Sequence, residues 1–297
     1  MENGSQSTSV VAPGRSAALL ALPTALVLVL LGFAPLLIIL VWSLWTWDPA
    51  TYWIKPDLSL AGYASILEAG RWGVIIGSLA KAALAALICL VIGYPAAMAV
   101  RFLAGPRTAL LLMALFTIPF FTSYLIRAFS WRLVLGRNGI INSWLVDLGI
   151  VDQPVDWLLF SSFAVNVGLV ASYLPFVIFP LILSMQRVEP SLLAASQDLG
   201  AGSWRTFRSI LLPLTKSGIF AGFLFVFVMA AGSQTEVQLL GGAAASMISV
   251  MINDVMRVAN FPLAFAISTV VLILLFGLIF IGNRLFKLTR LFEGFSW

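Results

Sequence analysis

Six stretches of this chain contain no Asp, Glu, Lys or Arg: residues 16–47, 82–100, 108–126, 157–186, 217–235 and 258–283. No other feature narrows the fold as much. A helix rising about 1.5 Å per residue needs roughly 20 apolar residues to cross about 30 Å of hydrocarbon, and each stretch reaches or nears that length. Backbone inside lipid must satisfy its own hydrogen bonds, so each is expected to be a helix; barrel strands would be shorter and would alternate. Composition points the same way, with 10% charged residues against about 25% in an ordinary soluble domain. The sequence therefore predicts an all-α integral membrane protein of six transmembrane helices, at about 17–45, 74–100, 108–130, 158–186, 217–238 and 262–284, in one domain over 16–286. The first stretch is far longer than the 7 to 15 residues of a signal-peptide core and lacks a small-residue cleavage site, so it is expected to remain as a span. Residues 1–15 are rich in Ser, Gly and Pro and are expected to be a disordered cytoplasmic leader, with 287–297 as a short cytoplasmic tail.

Orientation follows from the placement of Lys and Arg. With both termini in the cytoplasm, ten basic residues fall inside (Arg15, Arg101, Arg107, Arg187, Arg205, Arg208, Lys216, Arg284, Lys287, Arg290) and seven outside. Acids sharpen the contrast, four inside against eight outside. The basic balance thus belongs to inward-facing helix ends, and nucleic acid need not be invoked. Trp42, Trp45, Trp47 and Trp53 gather where the first helix would reach the far interface, as an aromatic belt does. The chain has no histidine, and its single cysteine, Cys89, lies within the second span. An intrachain disulfide and a His/Cys metal site are therefore excluded.

The connections alternate in character. An outer loop is expected over 46–72, a tight inner turn over 101–107, and a second outer loop over 127–156 with turn signals at RNG and DQP. The last outer connection, about 236–261, is too apolar for a solvated loop; its Gly-Gly break and helical spacing predict a short helix tucked against the bundle or dipping partway into the membrane. The inner stretch 187–216 is the exception to both rules, neither apolar enough to span nor polar enough to be plain loop. Pro190 suits a first helical turn, where the N–H it lacks would have no partner. Leu192, Ala195 and Leu199 follow on one face, and Gly200 stands where a left-handed residue would end the helix. Ser203 is placed to cap a second helix, whose Trp204, Phe207 and Leu211 repeat the spacing until Pro213. The result is helix, glycine corner, helix, with Ala194, Ala195 and Ser196 as a smooth patch. Residue chemistry alone fits two readings: a docking surface for another protein, or an amphipathic element resting on lipid headgroups.

The same residues resemble a family. Inner-membrane permeases of bacterial ABC importers carry a cytoplasmic motif of EAA, three residues, Gly, nine residues and I-x-L-P, and here "AASQDLG" ends at Gly200 with Ile210, Leu211, Leu212 and Pro213 in register. Ala194 stands where the family carries Glu, with Asp198 one turn on. "SLAKAALAALICLVIGYPAAMAV", "SYLIRAFSWRLVLGRNGIIN" and "LLGG…NFPLAFAIS" are similar to other parts of the polyamine-type subfamily, so the likeness runs from about 60 to 275. The resemblance implies a type I importer permease fold in which 187–216 is the coupling element that fits a cleft on a cytosolic ATPase. Its contacts would come from Ala194, Ala195, Ser196, Asp198, Gly200, Ile210, Leu212 and Pro213. It implies partners as well: a second, similar permease forming a heterodimer, two ATPase subunits holding the ATP and magnesium, and a periplasmic solute-binding protein. The chain itself would carry no cofactor, and none of its four lysines follows a glycine, so a phosphate-binding P-loop is absent. A polyamine is the solute that the subfamily implies.

Polar groups at membrane depth are candidates for the solute path. Asn166 and Tyr173 share a face of the fourth span, Gln234 and Glu236 close the fifth, Asn253 and Asp254 follow, and Tyr94 and Tyr124 sit toward opposite ends of spans two and three. Glu236 and Asp254 could partner an amine, or could sit at the interface beside Arg257. A secondary transporter or channel working without ATP is the alternative; it predicts an ion-coupling carboxylate at mid-depth, and no window has a charge at its centre. An integral membrane enzyme would want a histidine or a carboxylate cluster for proton transfer, and the chain offers neither.

Overall fold

The computed structural model describes residues 15–68, 70–242 and 245–286; the expected leader, except Arg15, and the expected tail lie outside the described residues. Helix α1 runs over Arg15–Trp42 and carries Pro23 and Pro35 inside it. The first outer connection holds a hairpin of β1 (Thr46–Asp48) and β2 (Trp53–Lys55), paired antiparallel with Trp47 opposite Ile54, and then α2 (Ala61–Glu68). Lys55 Nζ lies 2.9 Å from Asp48 Oδ2, and that ammonium holds the Asp48 carboxyl below its ordinary range. Helix α3 (Arg71–Met98) continues into a π-helical turn over Ala99–Leu103. Beyond it come α4 (Pro106–Phe121), α5 (Tyr124–Leu135) and α6 (Ile140–Asp147). Helix α7 (Ser162–Met185) starts from Ser161, whose hydroxyl accepts the Ala164 N–H at 3.2 Å and so satisfies one of the free donors of the first turn.

The remaining elements are α8 (Pro190–Asp198), α9 (Ser203–Thr206), a π turn over Phe207–Leu211, and α10 (Leu212–Ala231). A third π turn, Val237–Gly241, leads to α11 (Ile248–Arg257) and α12 (Phe261–Phe286). The described residues hold five helices long and apolar enough to cross a membrane, or six if one bent pair counts as a span.

That bent pair corrects the sequence expectation of a continuous third span over 108–130. Helix α4 stops at Phe121, and the chain leaves it at 96°. Pro119 supplies no N–H, while Thr122 and Ser123 take extended ψ values of 136° and 132°, so the helical ladder cannot continue. The fifth span differs too: its helix ends at Ala231, and after a break at Gly232–Gln234 the chain passes into a π turn over Val237–Gly241, where the sequence predicts one helix over 217–238. The short helix expected between 236 and 261 is α11, anchored by Ile248 N–H to Ser78 Oγ at 2.9 Å.

Helices α3, α7 and α10 form the core, and small residues let them approach. Gly93 faces Val177 Cγ1, and Gly222 faces the Val177 backbone; a methyl added at either would sit 3.0 and 3.2 Å from these atoms. Lipid chains are as apolar as leucine, so helix association in a membrane depends on this kind of close fit. A tight crossing of α10 on α7 is at Gly218, where an added Cβ would land on the Ser184 side chain and 2.7 Å from Pro180 O. Gly218→Ala is therefore expected to force α10 off α7 and to lower stability by about 1–3 kcal/mol, read as a drop in the thermal midpoint of the detergent-solubilised chain; Gly277→Ala, with no atom within 4 Å of its Cβ, is the matched control. A second, smaller cluster of Ile66, Ile75, Ile248, Leu263, Ala266 and Ile267 joins α12 to α2, α3 and α11. Helix α1 packs on α12, and between Leu22 and Val41 most of its described leucines and valines are exposed.

Candidate functional site

Two places in the fold collect the residues singled out in the sequence. The first is the corner between α8 and α9. Glu189 precedes Pro190 at the start of α8, and the helix ends at Leu199 with Gly200 at φ +80°, the left-handed region that costs glycine nothing. Gly202 precedes α9 and Ser203 is its first residue, so the cap expected from the Ser203 hydroxyl is absent. The hydroxyl that holds the corner is instead Ser196, 2.9 Å from Thr206 Oγ1. No residue of α8 is buried: Leu192, Ala194, Ala195, Asp198 and Gly200 are exposed, Leu199 is 89% exposed and Trp204 71%. Leu212 and Pro213 are exposed and Ile210 is half-buried. Large apolar side chains standing in the open beside a rigid turn are an unpartnered surface.

The second place is a cavity of about 550 Å³ at the break of the third span. The break itself opens it, with Phe120, Phe121, Thr122, Ser123, Tyr124 and Arg127 on one side and Ser172, Tyr173, Pro175 and Phe176 of α7 on the other. Of the path residues expected from the sequence, it brings together Tyr124 and Tyr173. Arg127 and Ser172 were missed. The Arg127 guanidinium reaches back across the break and donates from Nη1 to Pro119 O at 3.1 Å, a carbonyl that also accepts from the Thr122 hydroxyl at 3.0 Å. Ser172 is 2% exposed and its Oγ has no partner.

Glu236 lies behind Gly168 of α7, with its Cγ 3.5 Å from the position a Cβ there would take. It is 2% exposed; the Ser233 hydroxyl donates to Oε2, and Oε1 has no partner. A buried carboxylate with a free oxygen at this depth is a costly arrangement that a cation relieves. Asn166 donates to Ser162 O at 2.8 Å and keeps its own carbonyl oxygen unpartnered, and Gln234 is half-buried beside the π turn.

The other expected path residues are elsewhere. Asp254 is exposed on α11, and Asn253 accepts from Arg257 Nε at 3.0 Å. Tyr94 stands at the opposite end of the bundle, 8% exposed, with its hydroxyl 2.9 Å from Thr215 Oγ1 and its ring edge-on to Phe207 at 5.5 Å. A tyrosine placed near the end of α3 meets the α9–α10 junction there and not the cavity. Among the described residues, no group of three or more Cys, Asp or Glu side chains could hold a metal ion.

Comparison with known proteins adds an independent line. The chain is 35% identical over 255 residues to the spermidine/putrescine transport system permease protein PotB of Haemophilus influenzae, covering 86% of this chain and 88% of that one. It is 36% identical over 252 residues to PotB of Escherichia coli strain K12, covering 84% and 90%. In three dimensions it is similar to a crystallised bacterial ABC transporter involved in import of the acidic polysaccharide alginate, with a TM-score of 0.71 at 15% identity over 92% of this chain and 96% of that chain, a likeness of fold alone. Residues 90–289 match the profile of one family, and with the relatives just given this places the chain in it: the protein is a multi-pass membrane permease of the binding-protein-dependent transport system inner membrane component family.

Proposed function

We propose that this permease is half of the translocation pathway of an ATP-driven polyamine importer, with both termini in the cytoplasm and the α8–α9 corner as its ATPase dock. The observation that carries the reading is the corner itself. A helix with no fully buried residue, ended by a left-handed glycine and flanked by an exposed leucine and tryptophan, lends the chain's own core only the half-buried Leu193. Its exposed apolar side chains are instead available to a partner's cleft. Ala194, Ala195, Ser196, Asp198, Gly200, Ile210, Leu212 and Pro213 form the contact or hold its shape. ATP and magnesium belong to two partner ATPase subunits. A second, homologous permease supplies the other half of the pathway, and a periplasmic binding protein delivers the solute to the outer connections. The domain runs over 16–286, with short cytoplasmic ends.

The solute class rests on the relatives and on Glu236. Spermidine and putrescine name the transport systems of the PotB relatives, and a buried carboxylate with an unpartnered oxygen is the chemistry that receives an ammonium. Tyr124, Tyr173 and Asn166 supply ring faces and an amide on the same route, and Gln234 adjoins it; amines sit well on aromatic faces. Asn253 and Asp254 belong to the outer approach.

The test is reconstitution of the permease with its partner permease, ATPase subunits and binding protein in proteoliposomes. Uptake of labelled putrescine or spermidine should require internal or external ATP on the ATPase side only. Uptake that proceeds without ATP, driven by an ion gradient, would replace this reading with a secondary transporter. Ala194→Glu is expected to leave uptake within about twofold of wild type, because Ala194 is exposed in the free chain and the motif it resembles carries a carboxylate at this place; co-purification of the ATPase checks that the dock is kept.

A further inference from the structure

We propose that Tyr94 is the positioning residue that passes movement of the α8–α9 corner into the helix bundle; this rests on the reading of the corner as an ATPase dock. Three rings lead inward from the exposed surface. Trp204, 71% exposed, stacks on Phe207 with centroids 5.3 Å apart and planes at 25°. Phe207 meets the edge of Tyr94 at 5.5 Å and 90°. Tyr94 belongs to α3, so the third ring is already in the core.

The hydroxyl of Tyr94 closes the arrangement. Thr215 Oγ1 is 2.7 Å from Leu211 O, a carbonyl that can only accept, so the single Thr215 proton goes there. Thr215 Oγ1 must then accept from the Tyr94 O–H across their 2.9 Å separation. Phe207 opens the π turn between α9 and α10, and Leu211 ends it. Tyr94 therefore brackets that turn, with its ring against the first residue and its proton on the side chain that caps the last. A wide turn of this kind is where a helix yields most easily. Held at both ends by one rigid side chain, it moves with α3 and does not absorb the displacement.

The line continues on the far side. Gly93, next to Tyr94, lies against Val177 of α7, and Val177 is one turn from the cavity residue Tyr173. Close-packed interiors transmit displacement where loose ones dissipate it. On the surface side, the Ser196–Thr206 hydroxyl contact ties α8 to the residue before Phe207. A push on α8 thus reaches the cavity through Thr206, Phe207, Tyr94 and Val177.

The test measures uptake and ATP hydrolysis in the same proteoliposomes containing the complete importer. Tyr94→Leu removes the ring and should leave the ATPase subunits bound and hydrolysing, while solute moved per ATP falls roughly tenfold, within the range coupling elements reach. Tyr94→Phe keeps the ring and should retain most of the ratio; Thr215→Val should match it, and the double variant should be no worse than either single one. Phe207→Leu breaks the same contact from the other side and carries the same expectation as Tyr94→Leu, so a folding defect in one leaves the other as the reading. An unchanged uptake-to-hydrolysis ratio in both leucine variants overturns the relay, as does a loss of uptake that merely follows the amount of complex assembled. A wild-type importer that moves solute with no ATPase bound overturns the docking reading itself.

Discussion

Replacing Gly200 with leucine should give a chain that inserts, folds and purifies normally yet supports almost no ATP-driven uptake. Gly200 sits at φ +80° with no atom within 4 Å of where a Cβ would be. Space is therefore available and backbone conformation is the difficulty, since an L-residue loses about 1–2 kcal/mol in the left-handed region. That cost is small against the packing of α3, α7 and α10, so the bundle survives. It is large for the corner, which is held by the Ser196–Thr206 contact and can relieve the strain by rotating Gly200 out of the left-handed region, swinging α9 away from α8. The expected result is a loss of uptake of about tenfold or more with an unchanged thermal midpoint, because misplacing a rigid contact surface disrupts its central pocket fit. Gly200→Asn should fall between, as asparagine tolerates this region better than leucine. Normal uptake by the leucine variant would remove the corner from the coupling path.

The second large effect is expected at Glu236. Glutamine has nearly the same shape and keeps an acceptor for the Ser233 hydroxyl, so Glu236→Gln should assemble like wild type. What it loses is the charge on the unpartnered Oε1. Losing one partner of a buried charge pair typically costs about 2–5 kcal/mol, which predicts a fall in polyamine uptake of at least tenfold. The fall should be greatest for the most highly charged solute, and ATP hydrolysis without solute should be unaltered. An unchanged uptake rate for both putrescine and spermidine would take Glu236 off the path.

The difference between these two sites shows what the sequence could disclose. At the corner every signal is local: Pro190 starts α8, Gly200 ends it, and the spacing to Ile210 and Pro213 is carried by neighbouring residues. Such punctuation acts through the φ and N–H of single residues and survives any tertiary context. Only the cap was misread, because Ser203 and Gly202 both satisfy the requirement and the glycine took the place.

The cavity depends on convergence of α4, α5 and α7, which no periodicity records. Counting charge-free windows assigns Arg127 to an outer loop, whereas the guanidinium turns back to Pro119 O and becomes part of the break. A signal was present in Pro119 followed by Thr122, Ser123 and then an arginine, a proline with polar residues and a long donor able to reach a carbonyl at the helix end. Ser172 gave none: a serine amid an apolar helix looks like any other small residue until its neighbours are known. The hairpin of β1 and β2 was likewise hidden, since three-residue strands are too short to show alternation.

The absence of any buried side chain in α8 has a consequence for how such a permease diversifies. Apart from Leu193, which packs on the core, and Ser196, which bonds Thr206, its side chains are open to change without disturbing the bundle, so the fit to one motor or another is set largely apart from membrane architecture. Exchanging the exposed residues of 190–199 for those of a related permease, with Leu193 and Ser196 kept, should thus redirect the choice of ATPase while the inserted protein keeps its melting behaviour.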